Sequence, residues 1–341
     1  MKNVVFSDVG REVEFKPDSI YENYLKLTES DIKKEFRNKK NLSLSNCPAC
    51  KSLKNTKAFV KFSLQYVECQ NCGTVYVCPH PGDDQIKEHF LNSPSIHFWR
   101  DTLSKVTEHK RKEKIYGPRF DWIIDMADEY LSGTKNMGDF NSKDVGYIEE
   151  LLRNNYFDTK TIVNPYFDIN DIKAKNLKSN LSIVSDLETA FPNKNSINIA
   201  TAFEVIDYTS NVEKLMNTIK NMLCKGGLCF ITTISISGFD MQVLWENSRS
   251  IFPLDRINVL SQKGIKLLSK RHGFEMLEYS TPGILDLDIV EHELKNHPDL
   301  NIPRFVKTIL ERNDEKLNYD FQNFLQVNRL SSFVRIVLKK K

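Results

Sequence analysis

Glycine is scarce in this chain: 13 of 341 residues, and only the last position of DFNSKDVG (139–146), where the surrounding pattern leads one to expect a glycine-rich turn. Long apolar runs are missing too. None approaches the roughly 18 residues needed to cross a bilayer, and the opening MKNVVFSDVGREVEF lacks the uninterrupted apolar core of a signal peptide. No membrane span is therefore expected, and the cytoplasm is the expected location. A basic stripe is absent as well. The formal net charge is +3, with lysines scattered or paired with acids, so a nucleic-acid partner is not expected. Without a secretion signal, the seven cysteines argue against a disulfide framework and for metal binding or inert buried thiols.

What is present describes an ordinary globular protein, 40% hydrophobic and 27% charged, long enough for one large unit and a small one. The strongest local signal is CPAC (Cys47 to Cys50) followed by CQNC (Cys69 to Cys72). Each CxxC lets one tight turn offer two thiolates, and the spacer forms the hairpin that brings both pairs around a tetrahedral zinc. The alternating AFVKFSLQYVEC between them supplies a strand of such a ribbon. Cys47, Cys50, Cys69 and Cys72 are the expected ligands of a structural zinc, since four thiolates leave no open position for catalysis. Cys78 and His80 read as loop residues, and Cys224 and Cys229 as buried inert thiols.

From about residue 126 strand-like and helix-like segments alternate, the pattern of a doubly wound α/β sheet. In VGYIEELLRNN the apolar Val145, Ile148, Leu151 and Leu152 share a helical face, and Asp144 is placed to cap it. TIVNP (161–165) reads as a short buried strand, and INIATAFEVI (197–206) as a stronger one. In VEKLMNTIKNML the apolar residues repeat at helical spacing; Gly226 and Gly227 are expected to end that helix before the strand LCFITTISI.

INIATAFEVIDYTSNVEKLMNTIKNMLCKGGLCFITT resembles the fourth strand, following helix and fifth strand of class I S-adenosylmethionine-dependent methyltransferases. The chain is similar in particular to bacterial ones with an N-terminal zinc ribbon, associated with surface-polysaccharide or other small-molecule pathways. The resemblance extends forward through CPAC, CQNCGTVYVCPHP, HFWR and RKEKIYGPRFDWI, and back through GFDMQVLWE, RINVLSQKGIKLLSKRHGF and STPGILDLDIV, covering most of residues 45–290. It implies a mostly parallel Rossmann-like sheet with an antiparallel last strand, built from GFEMLEYS and SSFVRIVLK. It divides the chain into an N-terminal extension (1–44), a zinc ribbon (45–80), a helical connector (81–125) and the sheet domain (126–341). Residues 284–330 form a helical insertion, expected to pack on the sheet, with a cover over the site or a homodimer or partner-protein surface as alternatives.

The resemblance also assigns residues. Asp139 stands for the acid before the family's glycine turn, but Asn141 and Lys143 occupy glycine positions; asparagine tolerates the positive φ such a turn needs. Asn164 stands where an acid normally binds the cofactor's ribose, so Asn164→Asp is expected to tighten cofactor binding. Asp186 and Leu187 match the stretch flanking the adenine, and Phe203 and Glu204 would line the methyl-donor pocket. Relatives carry histidine where this chain has Tyr208 and Arg256; of these only Tyr208 is a catalytic candidate, as a base of lowered pKa. His80, His89, His97 and His109 precede the sheet domain as further candidates to face the cleft. The implied function is methyl transfer from S-adenosylmethionine to a sugar or other small molecule, with a catalytically lapsed binding scaffold as the alternative.

Overall fold

The computed structural model describes residues 12–36, 42–164, 166, 181–184 (backbone alone) and 194–341. Its strands, in chain order, are β1 (Asn55–Lys61), β2 (Leu64–Cys69), β3 (Val75–Val77), β4 (Asn136–Phe140), β5 (Thr159–Val163), β6 (Leu181–Val184), β7 (Ile197–Phe203), β8 (Leu223–Ile234), β9 (Asn258–Val259), β10 (Phe274–Ser280) and β11 (Phe333–Lys340). Seven of them form one sheet in the order β10-β11-β8-β7-β4-β5-β6. The pairs from β6 to β8 are all parallel, and β11 alone runs against its neighbours β8 and β10. That order, mostly parallel with one antiparallel strand inserted next to the edge, is the sheet the sequence resemblance implied. The central strands are buried on both faces, so β7 reads INIATAF without the alternation of a half-exposed strand.

Local sequence accounts for most of the scaffold. Helix Val212–Met222 buries Val212, Leu215, Met216, Ile219 and Met222, and the Asn211 side chain caps it by accepting from the Lys214 amide. Helix Val145–Arg153 starts at Asp144, whose Oδ1 accepts from the amides of Gly146 (3.1 Å) and Tyr147 (3.4 Å). The glycine pair behaves differently from the sequence expectation. The helix ends at Met222, while Gly226 (φ +81°) and Gly227 lie inside β8, at a break in its register with β7. A Cβ on Gly227 would sit 3.0 Å from the Asn198 carbonyl oxygen, so close strand approach fixes this residue. Cys224 is half-exposed and donates to the Asn195 carbonyl at 2.9 Å, in contrast to the buried Cys229. The 284–330 insertion holds three helices, Asp286–Asn296, Arg304–Glu311 and Glu315–Val327, packed through Ile289, Val290, Ile302 and Val306 onto Leu244.

The ribbon is wired into the sheet domain. β1, β2 and β3 form an antiparallel meander whose fourth strand is β9, contributed by the loop after β8. The Tyr66 hydroxyl donates to the Arg256 carbonyl (2.9 Å), and the Val77 amide to the Ile257 carbonyl (2.8 Å). A side chain at Gly264, in helix Gln262–Arg271, would place its Cβ 2.3 Å from Thr74 Oγ1; only glycine lets the two parts meet this closely.

Candidate active site

A cavity of about 350 Å³ opens at the C-terminal ends of β4 and β7, where the order of the sheet reverses and α/β proteins bind their ligands. Its walls come from widely separated parts of the chain: Tyr21 and Tyr24 of the first helix (Asp18–Glu35), Trp99 and Arg100 of HFWR, Arg119 of YGPRF, the turn after β4, Arg256, and Gly283 to Asp286 at the root of the insertion.

The turn after β4 is held from beneath. Asp139 is fully buried; Oδ2 accepts from Thr201 Oγ1 (2.7 Å) and Ser142 Oγ (2.8 Å), and Oδ1 from the Ser142 amide (3.2 Å). Burial pushes its carboxyl up to about 6, against the pull of these donors. Asn141 adopts φ 63°, the left-handed conformation the missing glycine would have taken, and its amide donates to the Val163 carbonyl (2.7 Å). Its Oδ1 is buried and has no hydrogen-bond partner among the described residues. Lys143 leans across the rings of Tyr208 (4.9 Å) and Phe90 (5.0 Å) to pair with Asp255, lining the cavity on the connector side.

Asn164 stands beside this turn, but both ends of its amide are occupied. Nδ2 donates to the Ser142 carbonyl, and Oδ1 accepts from the Tyr166 amide at 2.8 Å. It acts as a clasp between the ends of β4 and β5. Tyr208 is likewise structural in position: fully buried, its hydroxyl donates to the Asn141 carbonyl, and burial pushes its pKa well above the ordinary value. That corrects the expectation of a base with a lowered pKa. Nor does any of the seven histidines line the cavity. His89, for one, is buried against Glu35 and Ser93. Asp186 and Leu187 lie outside the described residues.

Phe203 and Glu204, at the end of β7, do line the cavity. Glu204 Oε1 accepts from Arg119 Nη2 (3.1 Å) and Oε2 from Arg256 Nη2 (2.9 Å). Burial alone would raise this carboxyl, but Arg256, Arg119 and Lys143 together hold it well below the usual range. Arg256 also faces Asp207 at 3.2 Å, whose carboxyl burial pushes up to about 7 despite that charge. The result is a fixed charged floor. The sequence reading did not assign Arg119, Asp207 or Asp255 to it; the one signal for Arg119 was an arginine inside the aromatic block YGPRF.

Outside the cavity lining, the Sγ atoms of Cys47, Cys50, Cys69 and Cys72 all lie within 4.8 Å of one another, with the pairs Cys47–Cys72 and Cys50–Cys69 at 3.5 Å. Four thiolates at about 2.3 Å from a common centre stand roughly this far apart, so the group fits a tetrahedral zinc. Cys78 lies outside the group, its thiol directed at the Ser45 carbonyl (3.7 Å).

None of the curated proteins matches this chain in sequence. Among solved structures it is similar to an S-adenosylmethionine-dependent methyltransferase from Mesorhizobium loti (11% identity, TM-score 0.39, covering 63% of this chain and 96% of that one). It is also similar to coclaurine N-methyltransferase bound to N-methylheliamine and S-adenosylhomocysteine (14%, 0.41, 67% and 73%). A third is geranyl diphosphate C-methyltransferase from Streptomyces coelicolor A3(2) (10%, 0.42, 69% and 84%). Within the chain itself, residues 143–279 match a family model described as a methyltransferase domain.

Proposed function

We propose that this protein transfers a methyl group from S-adenosylmethionine to a sugar or another small-molecule acceptor. The observation that carries the reading is the turn after β4: without its glycines it keeps the left-handed bend at Asn141, at the point of the sheet where this fold takes its ligand. The residues fit the cofactor. Ser142, Lys143 and Asp144 of the turn line the cavity, and Asn141 Oδ1 within the same turn is a buried acceptor without a partner among the described residues. Tyr147, which meets Phe203 edge-on at 5.1 Å between ring centroids, lines the cavity beside the turn and is the aromatic neighbour for a sulfonium cation.

When bound, the cofactor supplies a methyl group on a positively charged sulfur, which an acceptor lone pair attacks. The chain's contribution is positional. Glu204, kept ionised by Arg119 and Arg256, fixes the floor, and the aromatic walls from the first helix and the connector exclude water. A second reading, a binding scaffold that has lost the activity, is favoured by the occupied amide of Asn164.

Calorimetric titration of the zinc-loaded chain with S-adenosylmethionine and S-adenosylhomocysteine separates the two. Submillimolar binding supports the methyltransferase. Folded protein that binds neither at millimolar concentration would refute it and leave the scaffold.

A further inference from the structure

Eight cationic side chains line the cavity, and most have a carboxylate at hand: Lys16 pairs with Glu12, Lys114 with Glu14, Lys143 with Asp255, and Arg256 with Glu204 and Asp207. Arg335, on β11, is different. Its side chain has no hydrogen bond and no carboxylate within ion-pairing distance among the described residues, and its Nε is buried without a partner. Its guanidinium lies over the Trp122 ring at 5.1 Å. Beside it, Arg119 lies over the Phe203 ring at 4.9 Å, and these two rings stack on each other with centroids 6.3 Å apart. Arg119 spends Nη2 on Glu204, but its Nε is also buried and unbonded.

Two neighbouring guanidiniums on one aromatic floor, each holding an idle donor, repel each other and lose hydration without return. Burial and the Arg119 charge both push the Arg335 pKa down, to about 10, despite Glu278 nearby. An anion between them would satisfy both donors and cancel the repulsion, in the forked geometry with which guanidinium binds phosphate and carboxylate.

We infer that Arg119 and Arg335 form an anion subsite for the acceptor, which is therefore a small molecule carrying a phosphoryl or carboxyl group. The inference rests on the proposed methyl transfer. The sheet tells the acceptor from the cofactor. Arg335 pairs with Thr232 of β8, and β11 stands three strand spacings from β4, about 14 Å from the turn that would hold the cofactor's amino-acid end. The subsite thus lies on the far side of Phe203 from Asn141, where an acceptor approaches the methyl group.

The test uses the full zinc-loaded chain and its Arg335→Gln, Arg335→Lys and Arg119→Gln variants, titrated with inorganic pyrophosphate, with malonate and with S-adenosylhomocysteine. Pyrophosphate marks a phosphoryl-bearing acceptor and malonate a carboxyl-bearing one. The expected result is that one of the anions binds the unaltered chain and binds Arg335→Gln about tenfold more weakly, with Arg335→Lys in between. Affinity for S-adenosylhomocysteine stays the same in both Arg335 variants. Anion affinity unchanged in Arg335→Gln and in Arg119→Gln overturns the subsite. A parallel loss of S-adenosylhomocysteine affinity overturns its assignment to the acceptor, since the pair would then hold the cofactor's carboxylate. Failure of the unaltered chain to bind S-adenosylhomocysteine strikes at the methyl-transfer reading instead, and is read in a separate titration.

Discussion

Asn164→Asp changes one atom group, and structure and sequence give it opposite outcomes. From the family pattern the aspartate restores a ribose acceptor and tightens cofactor binding. In the structure the amide donates from Nδ2 to the Ser142 carbonyl while Oδ1 accepts from the Tyr166 amide, in a residue only 4% exposed. The substitution keeps the acceptor and replaces the donor with an oxygen that faces another oxygen. Leaving a buried carbonyl unsatisfied costs about 1–3 kcal/mol, and a charged group at the same place costs more. A penalty of about 3 kcal/mol at alkaline pH follows, a Tm lowered by about 4 °C for a chain of this size. The introduced carboxyl relieves the clash by taking up a proton, which lets it donate to Ser142. Its folded pKa is then raised above the unfolded one, so stability is regained as pH falls and lost as pH rises through that raised value. Thermal melts at about pH 5 and about pH 8, paired with S-adenosylhomocysteine titrations, read both effects. A variant equally stable at the higher pH that binds the cofactor more tightly would refute the clasp and restore the ribose role.

Three further outcomes are expected. Metal analysis should find one zinc per chain, and Cys47→Ser with Cys69→Ser should remove it and unfold the ribbon, because binding energy at such sites is folding energy. Gly264→Ala places a Cβ 2.3 Å from Thr74 Oγ1 and should cost about 1–3 kcal/mol by thermal melt, whereas Gly82→Ala, with nothing within 4 Å, should not. The Asp207 carboxyl, raised from 3.8 to about 7, contributes stability that is complete below 3.8 and lost as pH rises through about 7. Asp207→Asn should flatten that fall in a series of melts between those limits.

How far the sequence could be read depended on the range of each interaction. Features set by a few consecutive residues were legible: the CxxC pairs, the Asp144 cap, the apolar face of Val212–Met222, and the tolerance of Asn141 for positive φ. The glycine pair misled because Gly-Gly after a helical period looks like a helix end, while here a register break against β7 needs it inside β8. Arg335 was hidden for a different reason. In SSFVRIVLK it is one polar residue in a strand, and only the insertion of β11 beside β8 brings it over Trp122 and next to Arg119. The roles of Asn164 and Tyr208 likewise depended on which backbone carbonyl each would meet, Ser142 for one and Asn141 for the other.

The same nonlocal wiring makes the metal group part of the cavity's construction. Cys72 offers its carbonyl to Ser261 Oγ, and Thr74 Oγ1 accepts from the Ser261 amide at 3.3 Å, so the second CxxC turn is fastened to the start of helix Gln262–Arg271. From there the chain runs back through β9, hydrogen-bonded to β3, to Arg256, whose carbonyl is held by Tyr66. The Arg256 guanidinium then meets Glu204, which lines the cavity, and the fully buried Asp207. A guanidinium buried among carboxylates is stabilising only while its geometry is kept, since breaking one contact leaves an uncompensated charge. A zinc held by these four thiolates would have no open position for catalysis, yet it would bear on the site, because the strands beside it hold the backbone of the residue that keeps Glu204 ionised.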